Sequence, residues 1–408
     1  MMGCAMPARP TAVALQPTPT AAPTPTPLPE VEATAPPSNV TLHIWLPPEF
    51  APSSEGAGLV FAQRLAEFTA RRPGVQVETR IKAVYGPGGI LDTLKTAKAA
   101  APLALPDLVL LPYGALEQAT EEGLLHTFDG LTAVMDDPDW FELARQVSHV
   151  NASGMGIPFA LDALALGYRP QAVDAPPATW DEALSAGQVI AFPAADPGGT
   201  FLLALYLSAQ GTLPGGGGQG ALDILPLTTA LTLIAQGGQN QVFPVWLTQF
   251  ETEEQAWAAY QEGQADMVAI RVSRLLPSPD VSPALLPASS GTSLAPGDGW
   301  AWALAAEDAT RQHLAVELAE FLSASEFVSI WSRAAGYLPA RPSALQSGWE
   351  NHPEYAMLNR VIAASTLVSP TLTQTLGPLL QAALLDVLKE GVDPAIAAQE
   401  ILDALNTP

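Results

Sequence analysis

Residues 39–82 read NVTLHIWLPPEFAPSSEGAGLVFAQRLAEFTARRPGVQVETRIK. Its last part is decisive: Val75, Val77, Thr79 and Ile81 alternate with Gln76, Glu78, Arg80 and Lys82, a period of two that only a strand explains. Before it, Phe61, Leu65 and Phe68 keep the spacing of one helix face up to a break at Arg72-Pro73-Gly74. Earlier still, Asn39 to Leu46 is a buried-strand run stopped by Pro47-Pro48. The order is strand, helix, strand.

The same grammar continues outward. A Gly-Pro-Gly-Gly loop (86–89) leads into a helix carrying Ile90, Leu91, Leu94 and Lys98, and Pro106-Asp107 opens an apolar strand, Leu108 to Leu111. A short helix from Ala115 to Glu122 closes at Gly123, where positive φ is cheap. Strands alternating with helices at this spacing predict a mostly parallel sheet covered on both faces. Further on, Thr179 with Glu182 and Thr252 with Gln255 are capping boxes. Phe201 to Ser208 and Leu227 to Gln236 read as helices around a glycine-rich turn at 211–220, and 265–270 as a strand. Helical faces then appear at Leu314, Leu318, Phe321 and Leu322 and at Leu376, Leu380, Ala383, Leu384 and Val387, and Asp393-Pro394 starts the last helix. The expected fold class is α/β, in two lobes with a helical finish.

Composition narrows the function. The 408 residues hold 17 Lys+Arg against 41 Asp+Glu, a formal charge of −24, which disfavours nucleic acid and anionic lipid as partners because both are bound through clustered cations. With 48% hydrophobic residues the chain is too apolar for a disordered protein. A single cysteine excludes an internal disulfide and a Cys-based zinc site, and no run of about 18 apolar residues is present to span a bilayer. Residues 7–37 carry ten of the 40 prolines, interleaved with threonines, the composition of an extended polyproline II stalk. At its far end, Met1-Met2-Gly3-Cys4 looks like the end of a bacterial lipoprotein signal. Cys4 is therefore the expected lipid anchor, with 1–4 a truncated signal remnant lacking its charged and apolar regions and 5–38 the linker.

Five segments, in order, carry a resemblance over residue 40 to the end: Pro106-Asp107-Leu-Val-Leu with Glu122-Gly-Leu-Leu, Gly156-Ile-Pro-Phe-Ala-Leu-Asp162-Ala-Leu-Ala-Leu-Gly-Tyr168, Pro177-Ala-Thr-Trp-Asp-Glu-Ala183, Phe250 to Arg274, and Gly336-Tyr-Leu-Pro-Ala-Arg341. Together they resemble the family 1 extracellular solute-binding proteins, the maltose-binding-protein-like receptors of ABC importers. The resemblance implies a two-lobed periplasmic-binding-protein-like fold (type II) with discontinuous lobes: 39–164 plus 293–335, and 165–292 plus 336–408, crossing near Leu164, Ser293 and Gly336. It also implies a ligand held in the cleft by hinge closure.

Sugar clefts combine aromatic faces with hydrogen-bonding Asp, Glu, Asn and Arg. Trp45 ends the first strand and Tyr113 follows the strand Leu108 to Leu111, and strand C-terminal ends face the ligand crevice in open α/β sheets; each is either there or in the core. Asp162, in an otherwise apolar run, needs a partner or a wet cleft. Trp300 and Trp302 share one face of the strand Gly299-Trp-Ala-Trp-Ala-Leu; the resemblance implies a ligand-contacting aromatic in this strand, with Trp300 the stronger candidate and Trp302 open to being core. Arg271 reaches a ligand or forms a surface ion pair, and Tyr337 stacks on ligand or packs a hinge. No histidine spacing suits a metal, and HExxH, GxSxG and P-loop motifs are absent. The Tyr85-Gly-Pro-Gly-Gly89 loop is a surface loop or an anion cradle.

The expectation is a non-enzymatic, cofactor-free and metal-free receptor, monomeric, tethered outside the cytoplasmic membrane. It would bind a mono- or oligosaccharide and hand it to ABC permease subunits, touching the membrane only through its lipid. The alternatives are a sensing or surface-interaction module of the same fold and, on weaker grounds, a glycosidase with paired carboxylates.

Overall fold

Strand β1 (Val40–Leu46) pairs in parallel with β2 (Val75–Ile81), in register from Val40 opposite Val75 to Leu46 opposite Ile81, and α1 (Gly56–Arg71) joins them. Helix α1 buries Phe61, Leu65 and Phe68, the residues its spacing predicts. The computed structural model describes residues 39–213, 222–289 and 293–406 with Met1 and Gly3. Cys4, the linker and most of the glycine-rich turn lie outside the described residues.

After α2 (Ile90–Ala100), β3 (Leu108–Pro112) adds to the other side of β1, again parallel. It runs directly into α3 (Tyr113–Glu121), two residues before the predicted start, because Pro112 ends the strand and sits in extended conformation as the N-cap. Then α4 (Glu142–Ser148) and a hairpin of β4 (His149–Val150) and β5 (Ser153–Gly154) lead to β6 (Ile157–Tyr168). Eleven of the 12 residues of β6 are buried, which is why the strand is an apolar run instead of an alternating one.

The following elements are α5 (Trp180–Ala186), β7 (Ile190–Ala191), α6 (Thr200–Ser208), α7 (Ile224–Gln239), α8 (Glu253–Gln261), β8 (Met267–Arg271), α9 (Val272–Leu275), β9 (Ser282–Ala284) and β10 (Ala295–Leu304). Both capping boxes form; in α5 the Glu182 amide donates to Thr179 Oγ1 at 3.2 Å and Glu182 accepts from the Thr179 amide at 3.3 Å. The chain ends in α10 (Ala309–Leu322), α11 (Ser325–Ala335), β11 (Leu338–Pro339), α12 (Pro342–Trp349), α13 (Tyr355–Ala363), β12 (Ser365–Leu367), α14 (Pro370–Leu385) and α15 (Pro394–Leu405), the last capped by Asp393.

These strands build one sheet in the order β2-β1-β3-β10-β6-β8-β7, with β9 and β11 on β6 and β12 on β10. The two wings, β2/β1/β3 and β8/β7, are parallel as predicted; β10 and β6, at the centre, run antiparallel to β3, to each other and to β8, while β12 joins β10 in parallel. Within β6 the partner changes: Ile157 to Ala163 lie against β10, and Leu164 to Tyr168 against β8. Residues Asn39–Pro408 form one compact unit.

Aromatic rings fill the core between the central strands β10 and β6 and helices α1 and α11: Trp302 lies 5.5 Å from Phe159 and 6.2 Å from Phe61, and Trp331 stands 4.5 Å from Phe159. Asp107, almost fully buried, is offset by Arg311, whose Nε donates to it at 2.8 Å, and by the His43 amide at 2.7 Å. Such pairing is what a buried charge requires.

Candidate ligand-binding site

Where β6 changes partner, three chain segments end against one another. Register sets Asp298 of β10 opposite Asp162, and Arg271, the last residue of β8, opposite Leu164. A cavity of about 550 Å³ opens beside them, within the range of small-molecule sites. Its walls are Tyr85 and Gly114, Pro296 to Asp298, Pro197, Gly198 and Thr200, Arg271, and Thr373, Gln374 and Pro378 of α14.

Arg271 is the pivot. Its Nε lies 3.5 Å from Glu253 Oε1, too long for a strong hydrogen bond, so the guanidinium keeps donors for a ligand. Burial works against its charge, and the carboxylates Asp298, Asp162, Glu253 and Asp196 outweigh that and hold its pKa above the ordinary value. Each carboxylate is positioned by backbone. Asp298 accepts from the Gly299 amide at 2.8 Å and from the Tyr113 amide. Asp196 accepts from the Gly198 and Thr200 amides at 2.9 and 3.0 Å, at the start of α6. Glu253 accepts from the Arg271 amide at 3.3 Å.

Asp162 meets the requirement that burial imposes. It accepts from the Ala163 amide at 2.9 Å, the Ser273 amide at 3.1 Å and the Ser273 hydroxyl at 2.5 Å. Its carboxylate is pushed above its usual pKa by burial, against the pull of Arg271 and of these donors. Burial likewise raises Glu253 and Asp298, again opposed by Arg271.

Of the residues singled out in the sequence, Arg271 lines the cavity. Asp162 and Tyr337 stand behind it: burial pushes the Tyr337 hydroxyl up, with Asp162 and Glu49 adding to the effect. Tyr113 supplies its amide to Asp298, while its hydroxyl donates to Glu117 at 3.3 Å and is pushed up to about 12 by burial and by Glu117. Trp300 is half-buried, its ring 4.6 Å from Phe50, outside the cavity wall. Two candidates need correction. Trp302 is fully buried in the core, because at that point the face of β10 it shares with Trp300 is covered by Phe61 and Phe159. Trp45 is 2% exposed, packed where β1 lies between two strands.

Sequence reasoning missed Asp298, Asp196, Glu253 and α14. Asp298 carried a signal: an aspartate between two glycines, on the face of Trp300. The glycine loop is no anion cradle, because Asp92 of α2 already accepts from the Gly88 amide at 2.7 Å. No cluster suited to a metal occurs among the described residues.

The description of bacterial extracellular solute-binding proteins matches residues 63–357. The chain belongs to this family. It is a family of binding proteins, not of enzymes, and an extracellular one. Maltose-bound MalE3 of T. maritima superposes on this solute-binding protein with a TM-score of 0.69 at 19% identity, over 90% of this chain and 99% of that one. The cyclic α-maltosyl-1,6-maltose binding protein of Arthrobacter globiformis gives 0.74 at 16% identity, over 90% and 98%. An ABC transporter solute-binding protein of Thermotoga lettingae bound to α-D-tagatose gives 0.68 at 18% identity, over 90% and 100%. These likenesses establish a shared fold. No curated protein sequence matches the chain. No helix among the described residues is long and apolar enough to cross a membrane.

Proposed function

We propose that this solute-binding protein captures a saccharide in the cavity at Arg271 and Asp298 and delivers it to the permease of an ABC importer. The observation that carries the reading is the pairing of a guanidinium with free donors and a carboxylate acceptor in one cavity of about 550 Å³. Sugar hydroxyls both donate and accept, so adjacent hydroxyls on a ring satisfy both groups, and charge-assisted hydrogen bonds of this kind are the strong ones. The sugars named in the structures of similar fold support the same ligand class.

Closure is part of the proposal. With the lobes at 39–164 plus 293–335 and 165–292 plus 336–408, Tyr85, Gly114 and Asp298 belong to the first and Thr200, Arg271 and Gln374 to the second, so a ligand in the cavity touches both. The partner change within β6 supports a crossing at Leu164. A ligand gripped by both lobes favours the closed form by its differential affinity. Cys4 and the Pro/Thr linker tether the monomer at the outer face of the membrane, within reach of the permease.

The test is the melting temperature of the full chain against maltose, maltotriose, cellobiose, tagatose and amino acids. A ligand at about 100 times its Kd adds roughly 2.7 kcal/mol, a rise of a few degrees. A rise with a sugar supports the reading; a rise with amino acids alone refutes it.

A further inference from the structure

A second pocket abuts the cavity across shared lining residues. This smaller pocket, of about 160 Å³, shares Leu164, Thr200 and Arg271 with the cavity and is lined by Asp196, Glu251 and Glu253. Counting Asp298 in the main cavity, four carboxylates line the two pockets, and Arg271, shared by both, is the one cationic residue among their described walls. Asp162 lies directly behind, close enough to act on Arg271.

A second observation comes from α14. Pro378 sits inside this helix and has no amide proton, so it cannot donate to the carbonyl of Gln374 one turn earlier. Gln374 and Pro378 both line the cavity. The lining is therefore rich in acceptors, and its aromatic content is Tyr85 alone among the described walls of the main cavity, which leaves little ring face for stacking on a neutral sugar.

We infer that the ligand is an amine-bearing saccharide, with its hydroxyls on Arg271 and Asp298 and its ammonium group in the smaller pocket lined by Asp196, Glu251 and Glu253. This rests on the saccharide reading above and names the substrate class of the same site. An ammonium ion supplies donors and no acceptor, matching the smaller pocket, while the hydroxyls satisfy the donors of Arg271. A polyamine brings no acceptor of its own to the donors of Arg271. The chain's formal charge of −24 attracts such a cation from a distance, an effect that weakens with salt.

The test is calorimetric titration of the full chain at mildly acidic pH with chitobiose, its neutral counterpart N,N′-diacetylchitobiose, maltose and spermidine. The inference expects chitobiose to bind at least about tenfold more tightly than the diacetyl form, the worth of one charge-assisted hydrogen bond. Added salt and the double variant Glu251→Gln, Glu253→Gln should each shrink that preference. Maltose or the diacetyl sugar binding as tightly as chitobiose overturns the inference and leaves the saccharide reading standing. Spermidine binding without any sugar, or no binding at all, overturns the saccharide reading and the inference with it.

Discussion

A Cβ atom built on Gly114 would stand 2.7 Å from Pro370 Cγ. The first turn of α14 thus lies against the first turn of α3 at the rim of the cavity, with no room for a side chain between them. In the proposed account this is the contact made when the lobes close. Gly114→Val should hold α14 away and lower saccharide affinity at least about tenfold. Its melting temperature should fall only slightly, because valine is a better helix former than glycine by a few tenths of a kcal/mol and this offsets part of the cost of displacing Pro370. Calorimetry with a melting curve checks this; unchanged affinity would remove the contact from the closing motion.

Beside it, Glu117 accepts from the hydroxyls of Tyr113 and Ser369, each at 3.3 Å. This carboxylate ties α3 to the N-cap of α14. Glu117→Ala removes hydrogen bonds to a charged acceptor, worth about 1.5 kcal/mol or more together, and should speed ligand release by roughly tenfold with little change in the association rate. Stopped-flow fluorescence separates the two rates.

The site also makes stability depend on pH. Asp162, Glu253 and Asp298 have folded-state pKa values raised above ordinary carboxylate values by burial. A carboxyl raised on folding binds its proton more tightly in the folded chain. Its contribution is therefore full below the unfolded pKa and is lost as pH rises through the folded one. The unliganded protein should gain stability as pH falls from neutrality toward that window. Asp298→Asn should flatten the slope, as read by urea unfolding across pH; an identical slope would show that Asp298 is ionised without cost.

Trp302 and Trp300 should separate stability from binding. Trp302 is fully buried among Phe61 and Phe159, so Trp302→Ala should cost about 3–5 kcal/mol. Trp300, half-buried beside Phe50, should cost less. Denaturant titration of both variants decides it.

The sequence made local structure plain where residues close in the chain decide it. The alternation from Val75 to Ile81, the break at Gly74 and the capping residues Thr179 and Thr252 each act within one turn or one strand, and the elements form there. The antiparallel centre of the sheet was not legible, because β10 and β6 meet across more than a hundred residues and no local period records a partner's direction. Trp302 does share a face with Trp300, but there that face is covered by Phe61 and Phe159, rings from distant parts of the chain that no local period records. Asp162 and Arg271 stood out because each broke an apolar run or ended a strand. Gln374 and Glu253 did not, because a polar residue on an amphipathic helix is ordinary until a cavity opens beside it.

The central claim is that Arg271 binds the ligand in the cavity it shares with Asp298. Calorimetric titration of the wild-type full chain and of Arg271→Ala, with maltose, chitobiose and N,N′-diacetylchitobiose, tests it most directly. The account predicts one-to-one binding of at least one of these sugars by the wild type, and a loss of about tenfold to a hundredfold in the variant with its circular dichroism unchanged. Binding that survives the loss of Arg271 undiminished would contradict it.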